Sequence, residues 1–282
     1  MTQIDPGLRS FQCFNASKYS STKHSSYFQV YDELFGKYAG QDITFVEIGV
    51  LNGGSLFMWR DFFGPKARII GIDLNPMAKK WEQDGFEIYI GSQADQKFWA
   101  NFYATVGKID VMLDDGGHFN DQQILTTLAA IPFIKDGGLI AIEDVHTSYM
   151  PKFNNPSKYS FMNFAKEITD RINARFPGTL APTDDLSKSV YSIAFYESIV
   201  AFKIDRTKCF IPSQIINKGI SSQAKDFRKI DQHQRINFFE RTIFRNLSKI
   251  AKKANLLKLT RCLIGIPLNN FLNRKLKRYF IN

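Results

Sequence analysis

Five short apolar, β-branched runs recur along the chain, and each pair is separated by room for a helix. They are ITFVEIG at 43–49, RIIGID at 68–73, FEIYI at 86–90, IDVMLDD at 109–115 and GLIAIED at 138–144. The stretches around 54–63, 76–83, 95–106 and 119–133 carry helical spacing. Strands alternating with helix-length segments predict βαβ units and a parallel sheet. Near-continuous apolar strands suit a sheet covered on both faces. Two further runs, SVYSIAFY at 189–196 and SIVAFKI at 198–204, almost touch. A parallel crossover needs a dozen or more residues, so only an antiparallel hairpin can join them. The prediction is a doubly wound α/β sheet closed by a C-terminal hairpin.

Charge separates the chain into unlike parts. The 282 residues carry a formal net charge of +10. Residues 217–282 hold 16 Lys/Arg and 3 Asp/Glu, while residues 1–216 are net −3. The expected organisation is an N-terminal covering segment at 1–40, an α/β domain at 41–216 and a basic helical tail at 217–282. Within 241–282 there are eleven Lys/Arg and no acid, and Ile243, Leu247, Ile250, Ala254 and Leu257 form one apolar helical stripe. Such a helix suits an anionic membrane surface, and equally suits packing on the body or on a second subunit as a homo-oligomer. Nucleic acid is disfavoured as a partner, because no recognised nucleic-acid motif accompanies the basic residues. A composition of 44% hydrophobic and 23% charged residues excludes a disordered or low-complexity chain. No apolar run is long enough to span a bilayer, and the first fifteen residues lack the pattern of a secretory signal. Cys13, Cys209 and Cys262 are too scattered for a disulfide framework or a cysteine zinc site, which points to a cytoplasmic protein.

The turn after the first strand is rich in glycine: Glu47, Gly49, Asn52, Gly53, Gly54 and Ser55 lie within nine residues. Glycines allow a tight turn and close approach of a ligand to the backbone. The spacing is not the GxGxxG of dinucleotide enzymes, which disfavours an NAD-dependent reaction. Glu47 at the strand end suits an ammonium group, and Asp73 at the end of the second strand suits a ribose diol.

Later strand ends concentrate acids. Asp114 and Asp115 end the fourth run and are followed by His118; Glu143 and Asp144 end the fifth and are followed by His146. Adjacent parallel strands lie ~4.8 Å apart, so these groups converge. Like charges that close resist ionising together, and a divalent cation such as Mg²⁺ relieves the repulsion. Some of these acids also suit helix caps, Asp115 for the helix near 119 and Asp144 for a later turn.

Asp114-Asp-Gly-Gly-His118 followed by Gly137-Gly-Leu-Ile-Ala-Ile-Glu-Asp144 resembles the metal-dependent sugar O-methyltransferases of the macrolide-sugar and rhamnosyl type, which are grouped with cephalosporin-hydroxylase-like proteins. The parallel sheet with a terminal hairpin is likewise the Rossmann-like arrangement of class I methyltransferases. Gly91-Ser-Gln-Ala-Asp95 resembles the family's segment near the adenine. Lys18-Tyr-Ser-Ser-Thr-Lys-His24, with Tyr27 and Tyr31, resembles the segment that closes over the cofactor. The resemblance implies S-adenosylmethionine as cofactor, contacted by Glu47, Gly49, Asn52, Gly53, Ser55, Asp73, Gln93, Asp95 and Asp114. It implies Asp115, Glu143 and Asp144 as metal ligands, and His118 as general base. His146 and Tyr149 are expected beside the substrate. Gly117 stands where the family commonly has serine. The expected acceptor is a sugar hydroxyl in glycan or glycosylated-metabolite synthesis, including a lipid-linked glycan. A catechol-like acceptor, RNA methylation and a non-catalytic scaffold are the alternatives.

Overall fold

The computed structural model describes residues 4–179 and 184–220. Its seven-stranded sheet runs β3-β2-β1-β4-β5-β7-β6. The strands are β1 Thr44–Ile48, β2 Arg68–Asp73, β3 Glu87–Ile90, β4 Ile109–Asp114, β5 Ile134–Ile142, β6 Val190–Tyr196 and β7 Ile199–Ile204. Strands β1 to β5 pair in parallel, and β7 runs antiparallel to both β5 and β6. The expected parallel sheet and terminal hairpin are both present. The order reverses between β1 and β4, where open α/β sheets form their ligand crevice.

Alternation along the strands supplies two cores. Phe45, Val111, Leu113, Leu139 and Ala141 face one side and pack against α2 (Tyr27–Phe35) and α3 (Gly54–Phe63). Val46, Ile48, Met112, Ile140 and Ile142 face the other and pack against α4 (Gln96–Val106), α5 (Asn120–Ala130) and α6 (Phe161–Asn173). The first core is strongly aromatic. Trp59 lies 5.0 Å from Tyr31, 5.4 Å from Phe35 and 5.2 Å from Phe45, centroid to centroid.

Three details depart from the sequence reading. The segment Pro76–Asp84 is 3₁₀-helical, started by the Asn75 side chain accepting from Met77 N. Strand β5 begins at Ile134, and its register against β4 shifts between Ile109 and Val111 to absorb the turn at Gly137. Helices α1 (Arg9–Ala16), α2 and α6 lie where the strand-and-helix alternation assigned no element. The chain divides into two units, residues 1–214 and 215–282. Residues near the N-terminus, among them Phe28, Tyr31 and Phe35, belong to the same core as α3. From residue 221 onward the expected basic helix lies outside the described residues. Among the described residues no helix is long and apolar enough to cross a membrane.

Trp59 is fully buried and its indole N–H donates to Glu47. Trp59→Ala should lower unfolding free energy in urea by about 3–5 kcal/mol, the usual loss for a large buried aromatic.

Candidate functional site

The backbone ladder continues past the ends of β1, β4 and β5 and sets the site. Asp115 N donates to Ile48 O at 3.0 Å, and Glu143 N donates to Asp114 O at 2.9 Å. The residues that leave these strands are therefore held side by side. Beyond them the chain turns sharply. His118 (φ 62°), Asp144 (φ 55°) and Ser198 (φ 62°) all occupy the left-handed region, which is uncommon for non-glycine residues. Gly49 (φ 93°) is obligatory on a second ground: a Cβ there would stand 2.1 Å from Asp115 O.

A buried lysine ties the acids together. Lys23 Nζ donates to Asp115 Oδ2 at 2.6 Å and to Glu143 Oε2 at 2.9 Å, with its side chain only 2% exposed. Tyr31 OH donates to the other Glu143 oxygen at 2.5 Å. Burial opposes the Lys23 charge, yet Asp115 and Glu143 hold its affinity for the proton well above the ordinary lysine value. Tyr27 OH donates to Asp144 Oδ1 at 2.5 Å and reaches Ser198 Oγ at 2.9 Å. Asp115, His118 and Asp144 each offer one ligand atom, and these three atoms lie within 4.8 Å of one another. His118 Nε2 is 3.4 Å from Asp144 Oδ2. Two carboxylates so placed fit a hard divalent cation, with an imidazole beside them.

Glu143 does not join that group. It is fully buried, and both its oxygens already accept hydrogen bonds from Lys23 and Tyr31. Here it holds the lysine while still lining the cleft beside Asp144. Lys23 itself had no assigned role. Its only sequence signal is its place in the KYSSTKH segment, because nothing local marks a lysine for burial.

A cleft of about 520 Å³ opens in front of these acids. It is lined by Ser20–His24, Gly49–Asn52, Ser55, Asp73, Gly91–Gln93 and Asp115–His118, among others. Asp73 Oδ2 accepts from Val50 N at 2.9 Å and Leu51 N at 3.0 Å, and Oδ1 accepts from Asn75 N at 2.8 Å. A carboxylate has about four acceptor positions, so Oδ1 retains one for a ligand hydroxyl. Leu51 and Leu74 border the cleft while 81% and 71% exposed, an apolar edge suited to a flat base.

Of the expected cofactor contacts, Gly49, Asn52, Ser55, Asp73 and Gln93 line the cleft and four others do not. Glu47 is turned into the core, where it accepts from Ser55 Oγ at 2.7 Å and Trp59 Nε1 at 3.0 Å. Gly53 starts α3 with a positive φ, and a Cβ there would strike the Trp81 ring. Asp95 caps α4 by accepting from Lys97 N at 2.8 Å. Asp114 is buried and held by Gln93 Nε2 through both oxygens. Burial pushes Asp114 up to about 6 and Glu47 up to about 7. His146 stands next to Asp144, whereas Tyr149 is exposed and does not line the cleft. At Gly117 a Cβ would meet Gln122 Oε1 at 2.2 Å, so the missing serine coincides with a side chain that fills its place.

No family model matches the chain. The chain is 26% identical over 186 residues to 8-demethyl-8-alpha-L-rhamnosyl tetracenomycin-C 2'-O-methyltransferase of Streptomyces olivaceus, covering 62% of this chain and 49% of that protein. It is 36% identical over 132 residues to mycinamicin VI 2''-O-methyltransferase of Micromonospora griseorubida, covering 44% and 32%. The chain thus spans half or less of these relatives' length. Its structure superimposes with TM-score 0.63 and 23% identity on the MycE methyltransferase of the mycinamycin biosynthetic pathway, solved with Mg and SAH, covering 83% of this chain and 60% of that one. The chain has the class I methyltransferase fold. Its sequence relatives are sugar O-methyltransferases. In this methyltransferase fold the cleft lies at the reversal of strand order, with the acids on β4 and β5 at one end and Asp73 of β2 at the other.

Two measurements test the buried charges. Removing one partner of a buried ion pair typically costs 3–5 kcal/mol, so Lys23→Met should lose about that much unfolding free energy in urea. Glu47 titrates near 7 when folded against a reference of 4.5, so folding takes up a proton between those values. Stability from this group therefore falls as pH rises from about 4.5 through 7, and Glu47→Gln should flatten that slope in urea titrations run across the same range.

Proposed function

We propose that this protein transfers a methyl group from S-adenosylmethionine to a sugar hydroxyl, assisted by a divalent cation such as Mg²⁺. The observation that carries this reading is the convergence of Asp115, His118 and Asp144 at the mouth of a cleft lined by the glycine-rich turn and Asp73. The relatives named for 2'- and 2''-O-methylation of sugar-bearing compounds support the acceptor class.

Asp73 Oδ1, the exposed faces of Leu51 and Leu74, and Gln93 would hold the nucleoside. S-adenosylmethionine supplies an activated methyl on a cationic sulfur, and its departure as a neutral thioether drives the transfer. Asp115 and Asp144 would hold the cation, which would supply Lewis acidity toward acceptor oxygens and leave the His118 imidazole free.

The chain's own residues do the rest. His118 Nε2 takes the proton from the attacking hydroxyl, and Asp144 Oδ2 beside it stabilises the resulting imidazolium. The proton given up by the acceptor hydroxyl would end on His118 Nε2. Lys23, held by Asp115 and Glu143, carries residues 20–24 across the cleft and limits entry of water. Tyr27 fixes Asp144 through its Oδ1, and Tyr31 fixes Glu143.

With labelled S-adenosylmethionine and a panel of glycosides, His118→Ala should reduce turnover by about 10²–10⁴-fold, the usual contribution of a general base. Asp115→Ala and EDTA should each abolish it. Undiminished turnover in EDTA would remove the cation from the proposal. A panel methylated only at catechols would replace the sugar as acceptor.

A further inference from the structure

The chain has four histidines, and three of them, His24, His118 and His146, surround the single carboxylate of Asp144. The two oxygens of Asp144 have different company. Oδ2 faces His118 on the Asp115 side. Oδ1 lies 3.8 Å from His24 Nε2 and 3.8 Å from His146 Nδ1, and accepts from Tyr27 OH. His24, Asp144 and His146 each offer one ligand atom, all within 4.8 Å of one another, and the two imidazole rings meet edge to face at 5.7 Å.

We propose that His24, Asp144 and His146 form a second cation site, which takes a borderline transition-metal ion such as Zn²⁺ or Co²⁺ and shares Asp144 with the oxygen-rich site. The donor sets separate the two. Two imidazole nitrogens and one carboxylate oxygen favour Zn²⁺, Co²⁺ or Ni²⁺, whereas the Asp115 side is richer in oxygen and favours Mg²⁺. Zinc holds nitrogen and oxygen ligands at about 2.0–2.2 Å, which places tetrahedral ligand atoms about 3.3–3.6 Å from one another; the two N···O separations of 3.8 Å need only a slight contraction to reach that. His24 can make that movement, since its side chain is 64% exposed and gives the ion its entry path.

An outer ring of hydrogen bonds is already in place. Ser198 Oγ lies 2.5 Å from His146 Nδ1, and its hydroxyl can turn its hydrogen elsewhere when that nitrogen binds an ion. Tyr27 OH spans Asp144 Oδ1 and Ser198 Oγ, the kind of contact that orients metal ligands. The ligands come from two segments more than a hundred residues apart, so a bound ion would pin residue 24 to the end of β5. The proposal does not rest on methyl transfer, since neither cofactor nor acceptor enters it.

The test is a Co²⁺ titration of the full chain in excess Mg²⁺, without S-adenosylmethionine or acceptor, read by visible absorption and calorimetry. Wild type should bind one Co²⁺ that Mg²⁺ does not displace. His24→Ala and His146→Ala should each weaken it by at least about tenfold, the minimum seen even for outer-ring losses, while His118→Ala retains it. His24→Ala alters an exposed side chain, so it keeps the test decisive if His146→Ala fails to fold. No Co²⁺ binding in Mg²⁺, binding that survives His24→Ala, or equal loss in His118→Ala would each overturn the second site.

Discussion

One ammonium group sits where three parts of the chain meet. Lys23 brings its charge almost wholly out of water, which is unfavourable unless nearby anions offset it. Asp115 and Glu143 do so from the ends of two neighbouring strands. Those strand ends are in register only because the β1, β4 and β5 ladders run on past the regular strands. The lysine in turn determines where residues 20–24 lie, and they form one wall of the cleft. Without that pairing, two carboxylates would be left close together in a poorly hydrated place and the wall would lose its anchor.

The same interaction divides the labour among acids that look alike. Glu143 and Asp144 are neighbours in sequence and both line the cleft, yet the first is fully buried and the second is partly exposed. The cause is the left-handed turn at Asp144, which breaks the extended backbone just after Glu143. Glu143 stays with the lysine, and Asp144 is left with the histidines.

The sheet was legible in the sequence because its evidence is local. Strand length, β-branched content and the lack of room between 196 and 198 depend on neighbours in the chain, and they predict a parallel sheet and the hairpin's direction. Asp73 and Asp115 were singled out as strand-end acids, and both line the cleft. Glu47, Asp95 and Asp114 are not among the cleft-lining residues, for a common reason. An acid at a strand end reads identically whether it faces a ligand, caps a helix or is claimed by a buried partner. Trp59, Lys97 and Gln93 decide the matter in the fold. Lys23 was hardest to read, since its partners lie 92 and 120 residues away.

The turn between β6 and β7 is among the shortest connections in the fold, and its residue Ser198 reaches far beyond the hairpin. Its carbonyl accepts from Val145 N at 3.2 Å, and its hydroxyl touches both Tyr27 and His146. Hairpin tips are ordinarily where chains accept inserted residues, tags or grafted loops. Here the tip is tied to the acid-rich end of the cleft. Lengthening it by even one residue would shift the hydroxyl away from both aromatic partners, so loop engineering has to begin elsewhere on this scaffold.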